Sequence, residues 1–121
     1  MSLPLTPHVL ETAYTYLRAT QPFKGWHLPD ADEVEFGVTR HRDRYADHTT
    51  YYHAKGGGHV IRVSASSVKT TEALMQCLAH EMIHARIAIL KVPARSDHGR
   101  QFKALARRVC RVHGWELEKF L

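Results

Sequence analysis

A single α+β domain is the fold class expected from three features of the chain. Apolar residues recur at helical spacing near the start, and give way between residues 32 and 67 to alternating, β-branched runs. Helical spacing then returns for the rest of the chain, interrupted once around Pro93. The architecture implied is an N-terminal helix, a three-stranded, mainly antiparallel sheet and two further helices, all within 1–121. With 121 residues, 44% hydrophobic and 24% charged, there is material for one core. A chain of this size buries roughly two thirds of its unfolded surface, enough to hold a rigid site.

The first helix is signalled by Thr6 as cap and Pro7 at the first helical position. Leu10, Ala13, Tyr14 and Leu17 then fall on one face, and the helix should fade near Gln21-Pro22. Phe23 and Trp26, in the following loop, are expected to pack on the core. Val34, Phe36 and Val38 alternate with polar or small residues as a first strand, and Thr49 to His53 forms a second. Gly56-Gly57-Gly58 reads as a turn before a third strand, His59 to Ser64. Three short strands in succession imply an antiparallel meander.

Thr70-Thr71-Glu72 opens the next helix, with a capping hydroxyl and an acid suited to the positive end of the dipole. Leu74, Met75, Cys77, Leu78, Met82, Ile83, Ile87, Ile89 and Leu90 make it apolar nearly all round, which places it centrally in the fold. Pro93 ends it. The last helix follows Ser96-Asp97 and stops at Gly114, with Phe102, Leu105, Ala106, Val109 and Val112 as its inner face.

Several function classes are excluded. The two cysteines, Cys77 and Cys110, are far apart, and no C-x-x-C occurs. A cysteine-built zinc module and a disulfide framework are therefore ruled out. Both read as buried small hydrophobes, in keeping with a reducing cytoplasm. The N-terminus lacks the basic start and apolar stretch of a signal peptide. The segment Ala73 to Leu90 is too polar and too short to span a bilayer. A soluble, intracellular protein with no membrane partner is expected.

The chemistry lies in that central helix. His80 and His84 are one turn apart on one face and can converge on one ion. Neutral imidazoles suit Zn²⁺, and Glu81 is placed to reach a water beside the metal without binding it, the H-E-x-x-H arrangement. Buried polar groups need a common partner, which argues against ordinary core histidines. A purely structural zinc site is the other reading of the same residues. A third ligand must come from later in the chain, and Asp97, His98, His113 and Glu116 are the candidates. His98 is favoured. It opens a helix that must fold back on the central one, Gly99 permits close approach, and Phe102 would anchor the turn. Three protein ligands would leave the fourth position to water, as in catalytic sites.

His80-Glu81-Met82-Ile83-His84-Ala85 followed by His98-Gly99-Arg100-Gln101-Phe102 resembles the SprT-like (Spartan-like) metallopeptidases. Their pattern is H-E-x-x-H-A and then H-G-x-x-F. The resemblance implies a minimal zincin-like domain binding one catalytic Zn²⁺ through His80, His84 and His98. It also implies Glu81 as catalytic acid/base and a protein or peptide substrate. The strand Val60 to Ser64 would resemble the sheet edge along which related zincins lay an extended substrate. Tyr52, His53 and Arg62 are candidates for a second oxyanion donor. The chain departs from larger members in carrying no cysteine pairs for a zinc ribbon, and its size resembles minimal bacterial and phage forms.

The formal charge of +5 is compatible with a polyanionic partner. Arg100, Lys103, Arg107 and Arg111 form a stripe along the last helix, with Arg108 beside it. The plainer reading is the solvated side of an amphipathic helix; the sharper one is a DNA-binding surface. An alternative to the peptidase as a whole is a nucleic-acid-binding module whose zinc is structural or whose activity is lost.

Overall fold

The computed structural model describes residues 4–53, 56–90 and 99–120; over 47–53 and 56–57 it describes the backbone alone. Helix α1 spans Pro7–Arg18. The Thr6 hydroxyl accepts the Val9 N–H at 3.2 Å, a cap worth about 1 kcal/mol. Leu10, Ala13, Tyr14 and Leu17 are its buried residues, as the spacing predicts. Burial pushes the Tyr14 hydroxyl pKa upward, and the group donates to the Pro29 carbonyl at 2.6 Å. Phe23 and Trp26 are both in the core and meet edge-on at 4.9 Å.

The sheet comprises β1 (Val34–Thr39), β2 (Ala46–His53) and β3 (Gly56–Ser64) in the order β1-β3-β2. It is not the expected meander. β2 and β3 pair antiparallel, but β1 lies parallel to β3 on its other side, from Val34↔His59 to Thr39↔Ser64. The physical cause is the connection 40–45, which passes over the end of β3 instead of folding back as a hairpin. Serine hydroxyls hold it there. Ser64 and Ser67 both donate to the His41 carbonyl, the latter at 3.2 Å, and Ser66 donates to that of Arg40 at 3.1 Å. The Ser64 N–H adds a bond to the Tyr45 carbonyl at 2.8 Å.

Two further corrections follow. The three glycines extend β3, with Gly56, Gly57 and Gly58 paired to His53, Tyr52 and Tyr51. They are strand, not turn. β3 is also the central strand, so its backbone groups are used on both sides and the Val60–Ser64 segment cannot be a docking edge. Among the described residues, the edges are β1 and β2.

Helix α2 (Thr71–Leu90) packs against β2, β3, α1 and helix α3. The Thr70 hydroxyl accepts the Ala73 N–H at 3.1 Å, which caps it as expected. Its Leu74, Leu78, Ala79, Met82 and Ile83 join Ile61 and Val63 of β3 in the core. α3 runs Arg100–His113 and stops at Gly114, whose φ of 76° is the left-handed conformation that favours glycine. Phe102, Ala106, Val109 and Cys110 are buried on it, whereas Val112, expected inside, is half exposed. A short helix, α4 (Leu117–Phe120), follows that the sequence pattern does not announce. Four residues are too few to display a period. Among the described residues, no helix is long and apolar enough to cross a membrane.

Candidate metal centre

The middle of α2 brings His80, Glu81 and His84 to one place. The two imidazole rings lie 5.2 Å apart, centroid to centroid, at 61°. Phe102 of α3, 1% exposed, packs against both, at 4.8 Å from His80 and 4.7 Å from His84. Its position matches the anchoring role expected from the sequence. The two helices thus meet through a phenyl ring that restricts both histidines.

His80 has a second support. Its Nδ1 lies 3.1 Å from the main-chain carbonyl of Phe120 in α4. A carbonyl only accepts, so Nδ1 carries the proton and the lone pair of the neutral ring is on Nε2. This is the usual outer partner of a metal-binding histidine. The sequence reading missed it, because the acceptor is a backbone atom and carries no signal in residue identity.

Glu81 is only 6% exposed and contributes to the wall of a cleft of about 550 Å³. The start of β2 at Tyr45 and Ala46 forms one side, and the first turns of α2, including Ala73 and Cys77, another. His80 and Phe120 also border it. Burial first, and the Glu81 charge second, push the Cys77 thiol up to about 12, so it stays protonated near neutral pH. A protonated thiol is a poor nucleophile and a poor ligand, so the metal and proton chemistry at the cleft falls to His80 and the nearly buried Glu81 ahead of Cys77.

The sequence candidates for a third ligand separate. Asp97 and His98 lie outside the described residues. His113 is committed elsewhere, its Nε2 donating to the Gln21 carbonyl at 3.0 Å and lying 3.2 Å from the Thr20 hydroxyl. It also stacks on Trp115 at 4.7 Å. Glu116 is exposed and pairs with Lys119 at 3.6 Å. Of the possible oxyanion donors, Tyr52 and His53 fall where only the backbone is described. Arg62 is exposed on β3 with its stem against Gly37, where an added Cβ would come 3.1 Å from Arg62 Cγ. It does not border the cleft. Tyr45, which does, has no sequence signal, since it falls in the connection before β2.

Among the described residues, Asp30, Asp32 and Glu33 form a separate group of carboxylates that could receive a cation. All three are exposed, and two have structural partners. Asp30 pairs with Arg18 at 2.8 Å, and Glu33 accepts the Asp30 N–H at 3.3 Å as part of a capping box. The α2 histidines fit zinc better. They offer nitrogen donors one turn apart, with one tautomer set by a backbone acceptor and a buried carboxylate adjacent.

The basic residues Arg100, Lys103, Arg107, Arg108 and Arg111 are all exposed, on the side of α3 opposite Phe102 and Val109. No protein of curated function matches the chain. The sequence pattern of the SprT-like family matches residues 17–119, nearly the whole length. The chain therefore belongs to the SprT-like family, which is associated with zinc metallopeptidase-like proteins.

Proposed function

We propose that the protein is a zinc-dependent peptidase that hydrolyses peptide bonds with Glu81 as general base. The observation that carries this reading is the buried Glu81 carboxylate beside His80, at a cleft, with His80 held in the tautomer that offers Nε2. His80, His84 and, by the family resemblance, His98 would hold the ion. Zinc, when bound, supplies a Lewis acid for the scissile carbonyl and lowers the pKa of water toward neutrality. Glu81 accepts the proton of the attacking water and returns it to the leaving amine nitrogen. Phe102 and the Phe120 carbonyl keep the imidazoles in place through the reaction. An extended substrate would lie along the outer edge of β2, the sheet edge whose first residues flank the cleft. Tyr45 offers a hydroxyl there for the carbonyl oxygen.

A structural zinc in a binding module is the competing reading. It gives no reason for a buried carboxylate next to the ligand pair at an open cleft. The test is proteolysis of a loosely folded basic protein, with and without single-stranded DNA. Cleavage should stop on chelation and return with zinc. A protein that binds zinc stoichiometrically and cleaves under neither condition would move the weight to the binding module.

DNA is the proposed partner of the α3 stripe, supported by five exposed cations on one face. Reversing Arg107 and Arg111 to glutamate should weaken single-stranded DNA binding. Wild-type affinity should fall with salt at a log–log slope of roughly −0.7 per phosphate neutralised. Binding that ignores salt, or survives the reversal unchanged, rules out this surface.

A further inference from the structure

We propose that α4 is a positioning element of the metal site, acting through the Phe120 main-chain carbonyl, which fixes the His80 tautomer. The inference rests on His80 being a ligand, as in the reading above, but assigns a role to a segment that the motif does not include. The carbonyl lies 3.1 Å from Nδ1 across 40 residues of sequence. It is held from two directions. Along the backbone, the Phe120 N–H bonds at 3.1 Å to the carbonyl of Glu116, the residue before α4. Outside it, the Phe120 ring is 4% exposed and stacks on Trp115 at 5.9 Å and 15°. Trp115 stacks in turn on His113, which is hydrogen-bonded to the Gln21 carbonyl after α1. A row of rings thus ties Phe120 to the turn that follows α1. Phe120 also touches the His80 ring at 5.7 Å and borders the cleft, so the element that orients the ligand also walls the substrate space.

A fixed acceptor lowers the entropy lost when the ring binds metal and makes the opposite nitrogen more basic. Loss of such a partner typically costs about 10- to 100-fold in metal affinity. Two variants test this. One lacks residues 117–121, removing the acceptor. The other is Trp115→Ala, which frees Phe120 without touching His80 or the cleft, with Trp115→Phe as its conservative rescue.

The measurements are zinc affinity by chelator competition, the visible spectrum of the cobalt-substituted protein, and the imidazole nitrogen NMR signals of the metal-free protein. The His80 signals are assigned by their loss in His80→Gln. The expected result is Nδ1–H in the wild type, with zinc affinity about 10- to 100-fold lower and a shifted cobalt spectrum in both variants. Rescue by Trp115→Phe, with cooperative unfolding retained in Trp115→Ala, separates this from general loosening. Wild-type His80 found as the Nε2–H tautomer overturns the proposal without any variant. So does unaltered affinity and spectrum in a folded Trp115→Ala protein. Wild type that binds no zinc instead overturns the peptidase reading on which the proposal rests.

Discussion

Replacing Glu81 by glutamine is expected to remove hydrolysis while leaving zinc affinity close to that of the wild type. The amide matches the carboxylate in shape, so the packing of this nearly buried side chain survives. It cannot take a proton from water. Loss of a positioned general base lowers the rate by about 10²- to 10⁴-fold, which a single-turnover cleavage assay resolves. The zinc measurement beside it is what gives the result meaning. Lost cleavage with retained zinc assigns Glu81 to the proton transfer, whereas lost zinc would make it a ligand or a structural support. A Glu81→Gln protein that cleaves at the wild-type rate removes Glu81 from the mechanism.

Phe102→Ala should give the largest loss of stability of any single change near the site. The ring is 1% exposed and packs against both candidate ligands at under 5 Å between centroids. Truncating a buried phenylalanine costs about 3–5 kcal/mol, against a total stability of roughly 5–15 kcal/mol for a domain of this kind. Urea unfolding reads that loss as a lower midpoint. Zinc affinity should fall as well, because the cavity frees both imidazoles, while Phe102→Leu keeps most of the volume and should keep most of both properties. A loss under about 1 kcal/mol for Phe102→Ala would mean that the ring does not support the histidines as described.

Much of the helical half of the protein is legible in the sequence, α4 and the exposed Val112 excepted. Thr6 caps α1 and Thr70 caps α2, each with the side-chain bond that its residue type predicts. The four residues expected on the inner face of α1 are the four buried ones. Phe102 was recognisable as the core anchor of α3, and Gly114 as its stop. The sheet has the expected three strands and an antiparallel β2–β3 pair, but differs from the expected meander in strand order and in the parallel pairing of β1, because its strands look alike one by one. What sets the order is the connection 40–45, whose own carbonyl oxygens accept from serine hydroxyls some two dozen residues away. The triple glycine misled for a related reason. Glycine is permitted in both turn and strand, and pairing with Tyr51, Tyr52 and His53 decided between them.

At the site the same division holds. Sequence alone determined that His80, Glu81 and His84 share one helix, with the histidines on one face, because helical geometry converts a spacing of four into proximity. It determined the family through the pattern matched over residues 17–119. Only the tertiary structure decided that β3 is central and β2 the edge beside the cleft, that His113 is tied to Gln21 and Thr20, and that the Phe120 carbonyl orients His80. Caps, spacings and stops depend on neighbours in the chain, so side-chain chemistry spells them out. Strand order and carbonyl acceptors depend on backbone groups that every residue carries alike, and only packing selects which of them meet.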